Sequence, residues 1–298
     1  MTPSRPDQPL RGIAAMLTGA TAFSAMSLCA KYLNAHYDVL QTVFFRSLFV
    51  LLPATFMILL RDPALWRTRN MAAHFWRGTV GFASMLCMFY SFKLLPLADA
   101  VAINFLGPVF AVLFAMILLR ERARLRHWLW LGAGLVGVLI MTQPGHAGMN
   151  WLGFGVAMLG TVLFGITQTC IRILGRTENA LTTVWVFALM ATIFAAAFQP
   201  LVWRTPAGYD WLLLIGTGLF ALVGQIAVTK AYQYAPAATI GPFNYTSLIW
   251  AMLFGALFWD EQPTPQILLG AAIIIAAGSL AAIHEARSYL AARVGMTS

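Results

Sequence analysis

Residues 10–33, LRGIAAMLTGATAFSAMSLCAKYL, and residues 151–174, WLGFGVAMLGTVLFGITQTCIRIL, decide the fold when they are read together. Each is an almost uninterrupted apolar run, long enough to span a bilayer as a helix, which needs about 20 apolar residues. At an offset of 141, Gly12, Gly19, Phe23, Cys29, Lys31 and Leu33 fall on Gly153, Gly160, Phe164, Cys170, Arg172 and Leu174. At an offset of 140, Pro96, Ala98, Asn104, Ala111, Leu113, Phe114 and Glu121 fall on Pro236, Ala238, Asn244, Ala251, Leu253, Phe254 and Glu261. The chain is therefore expected to be an internal duplication, residues 10–143 forming one copy and residues 150–285 the other.

The rest of the composition agrees with a bilayer as the solvent. Hydrophobic residues make up 60% of the 298, charged residues only 10%, which leaves too little polar surface to cover a water-soluble globule of this size. Apolar windows lie near residues 10–33, 39–60, 75–95, 98–119 and 127–143, and again near 151–174, 180–203, 211–233, 236–258 and 264–284. The expectation is an all-α integral membrane protein of ten transmembrane helices. The first apolar run is longer than a signal-peptide core and lacks its cleavage pattern, so it is read as a retained span. Cys29, Cys87 and Cys170 all fall in apolar segments without ligand spacing, so neither disulfides nor a metal site is expected.

Charge sets the orientation. With a cytoplasmic N-terminus, Arg5, Arg11, Arg61, Arg67, Arg69, Arg77, Arg120, Arg122, Arg124, Arg126, Arg172, Arg176, Lys230, Arg287 and Arg293 fall on the inside. Lys31, Lys93 and Arg204 fall outside, and Arg46 lies within a span. The positive-inside rule then places both termini in the cytoplasm of a multi-pass protein of the bacterial inner membrane. Because each copy has an odd number of spans, the copies enter the membrane from opposite sides and form two inverted five-helix repeats. The loops agree: Arg120-Glu121-Arg122-Ala123-Arg124-Leu125-Arg126 in the first copy stands opposite Asp260-Glu261-Gln262-Pro263 in the second. Trp66, Trp128, Trp151, Trp203, Trp211 and Trp259 fall at span ends, as an aromatic belt requires. The net charge of +9 is spread over such loops rather than along one face, so no nucleic-acid partner is expected. Inverted repeats characterise secondary transporters, whose halves exchange conformations to open a central site to either side.

Two segments carry a family resemblance. Leu94-Leu95-Pro96-Leu97-Ala98-Asp99-Ala100 runs into Gly107-Pro108-Val109-Phe110 and Leu119-Arg120-Glu121, and Ala231-Tyr232-Gln233-Tyr234-Ala235-Pro236-Ala237 runs into Trp259-Asp260-Glu261. In these the chain resembles the EamA-type branch of the drug/metabolite transporter superfamily over nearly its whole length. The resemblance implies cytoplasmic termini, a cavity between spans 1, 3, 4 and 6, 8, 9, and a cargo such as an amino acid, a nucleoside-like compound, riboflavin or S-adenosylmethionine. Pro242-Phe243-Asn244-Tyr245-Thr246-Ser247-Leu248-Ile249-Trp250 resembles a subgroup of carriers of aromatic or adenine-bearing metabolites.

Polar groups inside spans are costly unless they pair or face a wet cavity, which singles out Asn104, Gln168, Gln225, Asn244 and Lys230 as substrate-binding candidates. For the asparagines the competing role is an interhelical hydrogen bond; for Lys230 it is snorkelling at a helix end, as also for Lys31 and Arg172. Tyr90, Phe105, Phe164, Tyr245 and Trp250 offer faces on which a planar cargo can stack, with packing or lipid contact as the alternative. Gly107-Pro108 and Gly241-Pro242 interrupt the fourth and ninth spans as hinges or static kinks. Arg46 lies about 12 Å into its span, too deep to snorkel easily, and calls for a specific partner.

An intramembrane enzyme needs converging nucleophile, acid-base or metal groups, and His36, His74, His127, His146 and His284 show no such spacing. A channel needs a selectivity filter, and none is evident. The function expected is secondary transport of a small organic metabolite by alternating access, without a cofactor, in a monomer or weak dimer whose partners are cargo and lipid.

Overall fold

A computed structural model describes residues 9–61, 68, 70–119, 125–142, 150–174, 178–234, 243–244 and 246–294. Every regular element among them is helical, as a bilayer demands of backbone that water cannot satisfy. The first half comprises α1 (Pro9–His36), α2 (Val39–Arg61), α3 (Met71–Leu94), α4 (Leu97–Asn104), α5 (Gly107–Leu119) and α6 (Leu125–Thr142). The second comprises α7 (Trp151–Leu174), α8 (Ala180–Ala196), the short α9 (Gln199–Val202), α10 (Asp210–Tyr234), α11 (Thr246–Trp259) and α12 (Pro265–Val294). The long apolar helices Leu10–His36, Val39–Arg61, Trp151–Ile171 and Asp210–Ala231 are sufficient by length and composition to cross a membrane.

Helix ends follow local chemistry. The Asp38 carboxylate accepts from Leu40 N at 2.8 Å and starts α2; Asn70 caps α3 through Ala73 N, and Asn179 caps α8 through Leu181 N. Asn150 caps α7 through Gly153 N at 2.9 Å and donates to the Leu94 carbonyl at 3.2 Å, which ties the start of α7 to the end of α3. The fourth expected span is two helices. The chain leaves helical bonding at Phe105–Leu106, one residue before Gly107, so the hinge candidate is a break between α4 and α5 rather than a bend within one helix.

The principal helix pairs join one half to the other: α1 with α10, α3 with α7, α2 with α8, and α6 with α12. The first two are related by the duplication. Gly19 of α1 sits so close to α10 that an added Cβ would lie 2.5 Å from Val228 Cγ2, and its repeat counterpart Gly160 of α7 meets Cys87 Cβ of α3 at 2.8 Å. Small residues at helix crossings let backbones approach where lipid supplies no hydrophobic drive. At the Gly160 crossing, Ser84 Oγ donates to the Gly160 carbonyl at 2.8 Å. Gly137 and Gly270 form a third close crossing between α6 and α12, an added Cβ at Gly270 standing 2.4 Å from the Gly137 carbonyl oxygen. The large apolar core draws on both halves, with Phe89, Leu97, Ile103, Ala188 and Leu248 fully enclosed.

Candidate substrate site and the charged groups around it

Asn104 closes α4. Its Nδ2 donates to the Ala100 carbonyl at 2.9 Å, while its Oδ1 accepts from Thr161 Oγ1 of α7 at 3.3 Å. Phe105, the next residue, is half-buried against the core, and Gly107 opens α5 where Phe164 of α7 crosses it, 2.8 Å from an added Cβ. Asn104, Phe105, Gly107 and Phe164 thus share one neighbourhood at the α4–α5 break, and a half-buried amide there has both an interhelical bond and partial exposure.

The repeat counterpart, Asn244, lies with Phe243 in a single 3-10 turn before α11, half-buried, its carbonyl accepting from Ser247 Oγ at 2.7 Å. Trp250 of α11 donates from Nε1 to Thr21 Oγ1 of α1 at 3.2 Å and stacks on Phe254, with ring centroids 5.6 Å apart. Gln225 of α10 carries a buried Oε1 without a hydrogen-bond partner among the described residues. Gln168 of α7 is half-buried, Tyr90 of α3 is exposed, and Lys230, near the end of α10, is exposed. Tyr245, Gly241 and Pro242 lie outside the described residues, as does the side chain of Pro108.

Two charged clusters add to these candidates. Lys31, expected to snorkel, is only 8% exposed and bonds Glu261 Oε1 at 2.5 Å. The other carboxylate oxygen accepts from Leu97 N at 3.1 Å, capping α4, and the ammonium reaches the Leu95 carbonyl at 3.5 Å and lies 4.9 Å from the Trp259 ring centroid. The turn that brings Glu261 back is local: Asp260 adopts φ +55°, Glu261 N then bonds the Gly255 carbonyl, and Gly255 leaves room for the carboxylate, 2.7 Å from where a Cβ would stand. Glu261 thereby joins α1, α4 and the end of α11. The sequence carried the clue, since Lys31 and Arg172 form one repeat pair, both cationic, and Glu121 and Glu261 another, both anionic.

The second cluster corrects one expectation and supplies a partner for another. Arg77, counted with the cytoplasmic loop cations, stands six residues into α3 and is 5% exposed; Arg46 of α2 is 4% exposed. The specific partner expected for Arg46 is an aromatic ring shared between the two arginines. The Phe187 centroid on α8 is 5.9 Å from Arg46 Cζ and 4.4 Å from Arg77 Cζ. One turn before Arg77, His74 places Nε2 4.0 Å from Glu178, whose Oε1 also accepts from Thr68 Oγ1 at 2.9 Å.

Comparison with known proteins fits this architecture. The model of the EamA-like transporter family matches twice, at residues 10–143 and 151–282. A pseudopaline exporter of Pseudomonas aeruginosa is 28% identical over 271 residues, 89% of this chain and 94% of that protein. A riboflavin transporter of Vibrio cholerae is 26% identical over 275 residues, 90% of this chain and 91% of that protein. A solved crystal structure covers 93% of this chain and 97% of its own at a TM-score of 0.68 and 20% identity, which shows a shared fold. An all-helical membrane chain with two copies of the family domain and full-length similarity to named transporters is a transporter rather than an enzyme, and it belongs to the EamA-like transporter family.

Proposed function

We propose that the protein is a secondary transporter that moves a small organic metabolite across the bacterial inner membrane by alternating access, with both termini cytoplasmic and ten spans in two inverted repeats. The observation that carries this reading is the matched pair of crossings at Gly19 and Gly160, which makes α1·α10 and α7·α3 repeat-related close contacts between the two halves. Halves built alike and oppositely oriented can exchange conformations, so that one site opens to each side in turn. The cargo falls in the range of amino-acid-like, nucleoside-like or aromatic compounds; the relatives' names, a pseudopaline exporter and a riboflavin transporter, support an organic metabolite.

Asn104, Asn244, Gln168 and Gln225 are proposed to hold its polar groups, Tyr90, Phe105, Phe164, Tyr245 and Trp250 to flank its planar part, and Lys230 to draw an anionic group at the inner mouth. Gly107-Pro108 and Gly241-Pro242 are proposed as the hinges. Lys31 and Glu261 act as a latch on the external side, and Arg172 with Glu121 hold the same places in the repeat for the cytoplasmic side, one latch being closed in each state. Reporter fusions and vesicle flux test the reading together. Fusions after Thr68 and Arg124 should report cytoplasm and those after Gly145 and Gln262 the exterior, and reconstituted protein should exchange a labelled metabolite. An external signal at Arg124, or sealed vesicles that exchange no metabolite from a broad panel, would overturn it.

A further inference from the structure

We propose that Arg46 and Arg77 form a binding site for carboxylate groups, buried between α2, α3 and α8. Each guanidinium is at least nine-tenths buried, and in each both Nε and Nη1 have no hydrogen-bond partner among the described residues. The two approach from opposite ends of the bundle. Arg46 lies seven residues from Val39 and Arg77 six from Met71, about 9–10 Å along antiparallel neighbouring helices, and both reach the ring of Phe187, seven residues into α8. Space for that ring is cut into α3 by Gly81, where a Cβ would stand 3.0 Å from Phe187 Cε2 and 3.4 Å from Thr167 Cγ2 of α7.

A buried charge costs several kcal/mol even after relaxation, and a second like charge beside it adds repulsion. A cation–π contact returns about 2 kcal/mol at best. Glu178, an acid among the described residues near this end of α3, is engaged by Thr68 and stands beside His74. Two guanidiniums held on one ring, with donors that no described residue accepts, therefore form a receptor for an anion. Ionisable groups at such depth in a transporter mark its cargo path.

The planar guanidinium pairs with planar oxyanions. A carboxylate carries a single charge per group and sheds water at lower cost than a phosphate, which carries about 1.5 to 2 charges. Two arginines then ask for two carboxylates, and the site is matched to a dicarboxylate or to a metabolite with two acidic groups. That this anion is the cargo rests on the transporter reading; that it binds does not.

The test uses the full-length protein purified in detergent, melted with succinate, dimethyl succinate or inorganic phosphate. At ten times its Kd, succinate should raise the melting temperature by roughly 3 °C, and dimethyl succinate and phosphate should raise it far less. Arg46→Gln and Arg77→Gln should each weaken succinate at least about tenfold, with partial rescue by Arg46→Lys or Arg77→Lys, since a single charge-assisted bond is worth at least 1.4 kcal/mol. Should the glutamine variants fail to fold, the wild-type series decides. No succinate shift, or an equal shift from the neutral ester, overturns the site; a shift from phosphate but not succinate overturns the carboxylate assignment. Succinate counterflow in vesicles separates this from the broader reading. Binding without any metabolite flux overturns transport and leaves the site, whereas flux with arginine variants that bind succinate normally overturns the site alone.

Discussion

Lys31 and the pair Arg46 and Arg77 are all cations buried within one bundle, yet they are held in opposite ways. Lys31 has its acid, Glu261, at 2.5 Å, and that acid is itself fixed by Leu97 N. Arg46 and Arg77 share Phe187 and leave four donor atoms without a hydrogen-bond partner among the described residues. Among the described residues a counter-ion is built in where two helix ends are clasped, and on the proposal above the arginines take theirs from solution. An internal ion pair serves structure or gating. An unmatched pair of cations holds free energy that a ligand can release.

The largest expected effect comes from taking the acid away from Lys31. Glu261→Gln leaves an ammonium buried without its partner and should cost about 3 kcal/mol, read as a lower melting temperature in detergent. Adding Lys31→Met should restore most of the loss. Equal melting of Glu261→Gln and wild type would remove the contrast between the clusters.

The converse change gives the arginines an acid of their own. Cys170 lies within electrostatic range of Arg77, and Cys170→Asp should abolish most of the succinate response, an apparent loss of about tenfold or more, because the site is then already neutralised. Unchanged succinate binding in a well-folded variant would mean that the anion binds elsewhere.

A smaller effect is expected at the asparagines. Asn104→Ala and Asn244→Ala should reduce transport several-fold while lowering the stability of ligand-free protein by no more than about 1 kcal/mol, the scale of one interhelical hydrogen bond. Loss of ligand-free stability with normal binding would assign the Asn104–Thr161 bond to folding alone.

Lys230→Met should weaken anionic cargo by a few-fold and leave neutral cargo untouched, since an exposed charge steers rather than clasps. Equal loss for both, measured as initial rates in vesicles, would return Lys230 to a snorkelling role.

The slightest shift belongs to Tyr37, outside the spans, whose phenol donates to Asp210. That bond raises its pKa above the ordinary 10.0, so the stabilisation is complete below pH 10 and fades as pH rises through the raised value. Wild type should melt slightly above Tyr37→Phe at pH 8, and the difference should vanish in alkali. A difference that stays the same at every alkaline pH at which the protein remains folded would point to packing instead.

Much of this was legible in one dimension. Apolar run length fixes spans because a bilayer has one thickness, whereas Gly19 and Gly160 stood in the sequence only as matching repeat positions, and their close crossings needed the structure. The break after Asn104 was visible only as a Gly-Pro pair, which does not say whether a helix bends or stops. Arg77 read as a loop cation because it lies a few residues from loop arginines, and burial depends on what α8 places beside it. Lys31 read as snorkelling because its acid lies 230 residues away; a pair that distant shows up in sequence only through its echo in Arg172 and Glu121.

The interleaving of the halves also bears on how the protein is made. Gly19 rests on Val228, so α1 enters the membrane long before the helix it packs against exists. At about 5–20 residues per second, translation separates the two by roughly 10–40 s. Through that interval α1, α2 and α3 sit in lipid with Lys31, Arg46 and Arg77 unpartnered and their glycine faces uncovered. A ribosome that stalls in the second half leaves a fragment no later folding can rescue, and membrane proteases and insertion chaperones have that window in which to act on it.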